Sequence, residues 1–112
     1  MSLPENAFKL TLYIGEEQKH GRKPLFEAIT MEARKRGIAG ATVTRGLMGY
    51  GANSRIRSSK VLILSEDLPM VVEMVDTEEN LRTLAKDFRE SVGNGLVTLE
   101  PVHVLNYHKV TR

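Results

Sequence analysis

The spacing of the apolar residues constrains the fold more than any other feature of this sequence. Apolar and polar residues alternate from Phe8 to Ile14, which is typical of a strand with one buried face. The next segment has an apolar side with helical spacing, with Pro24 at its first position and Gly37 as its C-cap. Residues 38–44 again alternate and predict a second strand. The first part of the chain therefore predicts a strand–helix–strand unit.

The second half of the chain repeats this order. The apolar runs 61–64 and 70–75 predict one long strand, bent by a turn or bulge at residues 67–69. Thr77 is the expected N-cap of a helix whose apolar residues recur at spacings of three and four. Residues 96–105 form the last predicted strand. Because Pro101 has no N–H to donate, this strand belongs at an edge of the sheet.

Two such units, joined by right-handed crossovers, predict an α+β ferredoxin-like βαββαβ fold. Its four-stranded antiparallel sheet carries both helices on one face. Residues 1–7 are expected to be disordered or left over from cloning, and residues 8–112 to form a single domain. The third strand is apolar at consecutive positions, although helices cover only one of its faces. We therefore expect copies of the chain to cover the other face.

Composition excludes several classes of protein. The chain has 112 residues, no cysteine and a net charge of +2. Disulfides and thiolate metal sites are thus excluded, a cytoplasmic location is the default, and a protein that coats nucleic acid is disfavoured. No apolar run is long enough to span a membrane. The three histidines, His20, His103 and His108, lack the spacing of metal ligands, so no metal site is expected.

The segment from Arg45 to Lys60 predicts a loop. It holds three glycines, one tyrosine and four cationic side chains, with no acidic residue. Glycine permits backbone conformations that favour a mobile loop, and the cationic side chains attract an anion or an acidic partner. On these residues alone, a functional loop and an ordinary flexible connection stay equally open.

Several sequence blocks resemble one known family. They include Gly-Ile-Ala-Gly-Ala-Thr-Val at 37–43, Arg-Gly with Gly-Tyr-Gly at 45–51, and Leu-Ser-Glu-Asp-Leu-Pro at 64–69. From about residue 8 to about residue 107 the chain resembles an uncharacterised PII-like family, domain of unknown function 190. This family is related to the nitrogen-regulatory PII signal-transduction proteins. Arg57 stands where a histidine of the family is expected, so a histidine-dependent role at that position is in doubt.

The resemblance implies a homotrimer that binds an adenine nucleotide in the cleft between subunits. The nucleotide would order loop 46–58, which touches a partner. The implied binding residues are Gly15, Glu16, Lys19, Lys23, Arg45, Gly46, Met48, Gly49 and Tyr50. PII proteins are expected to grip phosphates between the third strand and the second helix, where this chain has the acidic turn 76–79. Fewer phosphate contacts favour AMP or ADP over ATP.

The family resemblance also bears on partners and activity. Family members tend to accompany fluoride-exporter genes, which makes a membrane transporter the candidate partner. The nucleotide is then a regulatory ligand, no cofactor is required, and no enzymatic activity is expected.

Two other functions fit the fold. An RNA-binding module would need exposed aromatic residues on the central strands, where only Tyr13 is available. A small acylphosphatase-like hydrolase would need an arginine cradle in the first strand-to-helix loop, where Arg22 is weak support.

Overall fold

The fold was determined as a computed structural model that describes residues 5–51, 57–58 and 67–108, with only the backbone of 57 and 58. The described residues form short and long strands and three helices. In chain order these are β1 (Asn6–Gly15), β2 (Lys19–His20), β3 (Lys23–Pro24), α1 (Leu25–Lys35), β4 (Gly40–Arg45), β5 (Met48–Gly49), β6 (Arg57–Ser58), β7 (Pro69–Asp76), α2 (Glu78–Asp87), α3 (Arg89–Val92) and β8 (Leu96–His103).

The main sheet has four antiparallel strands in the order β4-β7-β1-β8. This order confirms the predicted α+β ferredoxin-like βαββαβ fold. It also confirms the edge position of β8, the strand that contains Pro101. β2 and β3 pair as a small hairpin before α1, and β5 pairs with β6 in the loop that follows β4.

The core lies between the helices and one face of the sheet. Alternate residues of the two central strands face it, and the apolar sides of the helices cover them. These buried residues are Leu10, Leu12 and Ile14 of β1, Met70, Val72 and Met74 of β7, Leu25, Ile29 and Ala33 of α1, and Leu81, Leu84, Phe88 and Val92 of the second helical segment. The core residues thus recur at every second position in the strands and at every third or fourth position in the helices.

Local signals account for where the helices begin and end. Thr77 caps α2 as predicted, because its Oγ1 accepts the N–H of Asn80 at 3.2 Å. Pro24 is the N-cap of α1 rather than its first residue. Gly37 ends α1 with a φ of 79°, a conformation that glycine adopts without strain. The second helix is interrupted at Phe88, so that α3 follows α2 as a separate turn.

Three strand boundaries differ from the predictions. β1 begins at Asn6 and Ala7 is buried, so residues 6 and 7 belong to the sheet rather than to a disordered start. β4 begins at Gly40, because the N–H of Ile38 bonds to the carbonyl of Ala33 and keeps 37–38 in the turn that closes α1. β8 ends at His103. The predicted strand at 61–64 lies outside the described residues.

Asp76 is the last residue of β7 and lies at one end of the sheet. Its Oδ1 accepts the N–H of Thr77 at 2.7 Å and the side-chain amide of Asn80 at 2.7 Å, while Oδ2 accepts the N–H of Ala39 at 2.9 Å. Asp76 is 5% exposed. This buried carboxylate therefore joins the start of α2 to residue 39, which precedes β4.

The sheet face away from the helices is partly exposed. On β7 the residues of this face, Val71, Glu73 and Val75, are half-buried, whereas their neighbours along the strand are buried. The ammonium group of Lys9 lies at the middle of this face, 3.5 Å from a carboxylate oxygen of Glu73 and 3.3 Å from one of Glu100. The expectation that copies of the chain cover this face stays a prediction.

Candidate functional site

A cleft of about 710 Å³ opens at the end of the sheet opposite Asp76. At this end β1 and β4 finish, while β7 and β8 begin. The cleft is lined by Tyr13, Ile14, Gly15, Gln18, Gly46, Met48, Gly49, Tyr50, Gly51, Asp67, Pro69, Val71, Ser91, Val92, Gly93, Asn94, Gly95 and Leu96. Three of the lining segments, 13–18, 46–51 and 91–96, form its first, second and third walls, and Asp67, Pro69 and Val71 line it from a fourth segment.

Gln18 connects the first wall to the third. Its Oε1 accepts the N–H of Gly15 at 2.6 Å. Its Nε2 donates to the carbonyl oxygens of Ser91 and Val92, at 3.3 and 3.2 Å. One amide side chain therefore fixes the turn after β1 and holds it against the end of α3.

The second wall is the base of loop 46–58. The N–H of Gly46 donates to the carbonyl of Pro69 at 2.7 Å. A Cβ on Gly46 would lie 2.7 Å from Cγ of Pro69, so this close approach of two chain segments requires glycine. Met48 and Gly49 then pair with the backbone of 58 and 57. The start of the loop is therefore anchored on β7, next to the cleft.

The third wall is the turn between α3 and β8. Gly93 has a φ of 56°, and the N–H of Gly95 donates to the carbonyl of Val92 at 2.9 Å. A Cβ on Gly95 would lie 2.9 Å from Cγ1 of Val92 and 3.1 Å from the carbonyl oxygen of Tyr13. The absence of a side chain at this position lets the turn pack directly on the end of β1.

Asp67 brings a negative charge to the cleft. Its Oδ1 accepts the N–H of Glu17 at 3.0 Å. The same oxygen lies 2.5 Å from the position that a Cβ on Gly15 would take, so glycine makes room for the carboxylate. Among the described residues that line the cleft, Asp67 alone is an acid, and none is lysine, arginine or histidine.

An ion pair flanks the cleft. Nη2 of Arg45 lies 3.0 Å from Oε1 of Glu16, and the side chains are 57% and 26% exposed. The pair joins the end of β4 to the turn after β1. Since the arginine is largely exposed, its guanidinium can also meet an anion that arrives from solvent.

The structure brings together most of the predicted binding residues. Gly15, Gly46, Met48, Gly49 and Tyr50 line the cleft, and Glu16 and Arg45 form the adjacent ion pair. Lys19 and Lys23 do not line it, because both lie on the exposed β2–β3 hairpin. The hairpin approaches the third wall through His20, whose Nδ1 lies 2.6 Å from Oγ of Ser91. The binding roles of all nine residues stay predictions.

Sequence reasoning missed Gln18, Asp67 and the turn 93–95. Asp67 was predicted only as part of a bend, although it belongs to one of the family-like blocks. The acidic turn 76–79 lies at the opposite end of β7, since Asp76 pairs with Phe8. The turn therefore does not line this cleft, and the phosphate argument based on it stays a prediction.

Two further findings concern the described part of the chain. No helix within it is long and apolar enough to cross a membrane. It also contains no group of three or more histidine, aspartate or glutamate side chains arranged to hold a metal ion. Tyr13, on a central strand, is 45% exposed, and Arg22 lies in the turn between β2 and β3. The RNA-binding and hydrolase alternatives rest on these two residues and stay predictions.

Comparison with known sequences gives one family. A family model described as "Uncharacterized ACR", domain of unknown function 190, matches residues 7–104. A UPF0166 protein of Aquifex aeolicus is 36% identical over 96 residues, covering 86% of this chain and 90% of the relative. A UPF0166 protein of Methanocaldococcus jannaschii is 34% identical over 96 residues, covering 85% of this chain and 88% of the relative.

Comparison with solved structures confirms the PII-like fold. CPII, a nitrogen regulatory PII-like protein from Thiomonas intermedia bound to ADP, AMP and bicarbonate, has a TM-score of 0.66 at 19% identity, with 88% of each chain covered. The apo form of CPII has a TM-score of 0.58 at 20% identity, covering 88% of this chain and 91% of that chain.

Proposed function

Because the chain belongs to the family of domain of unknown function 190 and has a PII-like fold, we propose that it is a nucleotide-responsive regulator. Its ligand is an adenine nucleotide, with AMP or ADP favoured. The nucleotide binds in the cleft at the base of loop 46–58 and changes how this loop meets a partner. The protein uses the nucleotide as a signal and does not turn it over.

The cleft carries this proposal. Its three walls meet at the anchored start of loop 46–58, so a ligand between them contacts the loop directly. The lining combines apolar side chains with polar backbone and amide groups, as is common in sites for small organic ligands. The fold neighbour CPII, which has been solved with ADP and AMP, supports a nucleotide as the occupant.

The charge of the cleft favours a ligand with few phosphates. None of the described lining residues is cationic, and Asp67 is negative. Arg45 is a cation next to the cleft, and its ion pair with Glu16 leaves it 57% exposed. One exposed arginine matches one or two phosphates better than the four negative charges that ATP carries at about neutral pH.

A homotrimer completes the proposed site. Tyr13 and Leu96 line the cleft and are 45% and 60% exposed, which places apolar surface at the junction of the cleft and the open sheet face. Association through this face would cover both residues and bring a neighbouring subunit to the cleft. Further cations for the phosphate would then come from the neighbour.

The loop transmits the signal to a partner. Leu47 and Tyr50 at its base are 76% and 72% exposed, which suits them to contact another molecule. A ligand changes the arrangement of a loop only if it binds the possible arrangements with different affinities. The cleft includes the base of loop 46–58, so a ligand in the cleft can act on the loop in this way. A membrane transporter is the proposed partner, and the cytoplasm is the proposed location.

Isothermal titration calorimetry with AMP, ADP and ATP tests the proposal, with light scattering to give the mass of the assembly. We expect a trimer that binds AMP or ADP more tightly than ATP. Arg45→Ala should weaken AMP binding by about tenfold, since it removes a charge-assisted contact to phosphate. Arg82→Ala is the matched control, because Arg82 also pairs with a glutamate, at 2.8 Å, but on the exposed side of α2. Absence of binding by all three nucleotides would refute the proposal.

A further inference from the structure

We propose that the outer edge of β4 pairs with the outer edge of β8 in a second copy of this chain, so that the sheets of the homotrimer join into a closed ring. The inference rests on the proposed function, which includes the trimer. It identifies the strands that meet between copies and the residue that each copy adds to the cleft of its neighbour.

The main sheet has two outer strands. β4 pairs with β7 and β8 pairs with β1, and no strand within residues 5–51, 57–58 and 67–108 pairs with the other side of either one. An unpaired side of a strand presents a row of N–H and C=O groups that can pair with another chain. Each copy therefore offers two different edges for association.

The hydrogen bonds show which backbone groups of β4 point outwards. The N–H of Gly46, directly after β4, donates to the carbonyl of Pro69 at 2.7 Å. In an antiparallel pair, residues that exchange backbone bonds alternate with residues that do not. The backbone groups of Ala41, Val43 and Arg45 therefore point away from β7. β4 also lacks the proline, lysine and acidic residues that commonly protect an edge.

The same alternation identifies the outward groups of β8. The N–H of Val104, directly after β8, donates to the carbonyl of Glu5 at 2.7 Å. The backbone groups of Val97, Leu99 and Pro101 therefore point away from β1. Since proline has no N–H, the outer edge of β8 is interrupted at residue 101. The part of this edge that can pair along its length is residues 96–100, which is close to the length of β4.

Symmetry decides which edges meet. A contact between two identical surfaces ends at a dimer, whereas a closed trimer needs a contact between two different surfaces. The outer edges of β4 and β8 are such a pair. Every neighbouring pair in the order β4-β7-β1-β8 is antiparallel, so β4 and β8 run in opposite directions. Copies related by an axis along the strands keep these directions. β4 therefore meets the neighbour's β8 as an antiparallel strand, and the ring has no free edge.

The pairing completes the cleft of the neighbouring copy. β4 ends and β8 begins at the cleft end of the sheet. Antiparallel pairing thus places Arg45, the last residue of β4, beside the start of the neighbour's β8. Leu96 at this start lines the cleft, and Leu96 and Val97 are 60% and 37% exposed, so the contact also buries apolar surface. Since the described lining residues include no lysine, arginine or histidine, each copy adds a cation to its neighbour's cleft.

Ala41→Pro tests the edge of β4. Proline at this position removes an outward N–H but keeps the bonds to β7, because Ala41 and Met74 do not exchange backbone bonds. Light scattering should give the mass of a trimer for the unaltered protein and of a monomer for Ala41→Pro at the same concentration, with the same circular dichroism spectrum. Ala41→Ser is the matched control, because it keeps the N–H at the same exposed position, and it should stay a trimer.

Val97→Pro tests the edge of β8 independently of Ala41→Pro. The N–H of Val97 also points outwards, so this variant should fold and be a monomer. In a mixture of the two variants, the intact β4 of Val97→Pro can pair with the intact β8 of Ala41→Pro. Light scattering of an equal mixture should therefore give a dimer. A mixture that contains only monomers would overturn the pairing of β4 with β8.

Calorimetry with AMP separates this inference from the proposed function. Ala41→Pro should bind AMP at least about tenfold more weakly than the unaltered protein, because the neighbour's arginine is withdrawn. If Ala41→Pro stays a trimer, or if the unaltered protein is a monomer that binds AMP, the edge pairing is wrong while the nucleotide site stands. A monomeric Ala41→Pro that binds AMP at full affinity overturns the role of Arg45 in the neighbour's cleft. If no nucleotide binds but Ala41→Pro breaks the trimer, the edge pairing stands and the proposed function fails.

Discussion

The two ends of the sheet use an aspartate in opposite ways. At one end Asp76 is 5% exposed and accepts three hydrogen bonds from Ala39, Thr77 and Asn80. At the other end Asp67 is half-buried, accepts the N–H of Glu17 and lines an open cleft. A buried carboxylate whose partners all lie in its own chain stabilises the fold. A carboxylate that lines a cleft contributes its charge to the surface that a ligand would meet. This contrast separates the structural end from the candidate site.

Asp76→Ala is the strongest test of the structural end. It leaves the partly buried N–H groups of Ala39 and Thr77 without their acceptor, so the free energy of unfolding should fall by about 2 kcal/mol. Urea denaturation at fixed protein concentration measures this. Asp87→Ala, which removes a partly exposed ion pair with Arg36, should cost less than about 1 kcal/mol. Equal losses in both variants would contradict a structural role for Asp76.

Gly95→Ala tests how tightly the cleft end is packed. Its Cβ would lie 2.9 Å from Cγ1 of the buried Val92 and 3.1 Å from the carbonyl oxygen of Tyr13, so the third wall must move. We expect the free energy of unfolding to fall by about 2 kcal/mol and AMP binding to weaken as well. Gly40→Ala is the control, because nothing lies within 4 Å of its Cβ. A Gly95→Ala protein as stable as the control would mean that the turn is not held against β1.

The ion pairs of Arg36 with Glu32 and Asp87 are expected to have the smallest effect on stability. The hydrogen bond from Arg36 lowers the pKa of Glu32 below its ordinary value of 4.5. A lowered carboxyl pKa stabilises the folded state above the unfolded value, and this contribution is lost as the pH falls through the folded value. Thermal midpoints should therefore decrease less between neutral pH and about pH 3 in Arg36→Met than in the unaltered protein. An identical decrease in both proteins would show that the pair adds nothing.

The fold was predictable because it depends on local periodicity. The alternation from Phe8 to Ile14, the cap at Thr77 and the proline at 101 each act through the chain near them. These signals predicted β1, α2 and the edge strand β8, although the bounds of β1 and β8 differ from the predicted ones. The start of β4 was missed because a bond between Ile38 and Ala33 extends the helix closure beyond Gly37.

The candidate site was predictable only in part because it joins distant segments. The family resemblance pointed to Gly15, Gly46, Met48, Gly49 and Tyr50, which do line the cleft. Gln18 reaches the carbonyls of Ser91 and Val92 across more than seventy positions, and no pattern in the sequence signals such a contact. The acidic turn 76–79 lies away from the cleft because Asp76 pairs with Phe8, at the other end of β1. This pairing of two distant strands could not be read from the sequence either.

The most direct measurement of the central claim is a titration of the protein with AMP followed by backbone amide NMR signals. We expect concentration-dependent shifts in segments 13–18, 46–51 and 91–96, which form the walls of the cleft. The amides of residues 76–80, around Asp76, should keep their positions. Absence of shifts at saturating AMP, or shifts centred on residues 76–80, would contradict a nucleotide site at the base of loop 46–58.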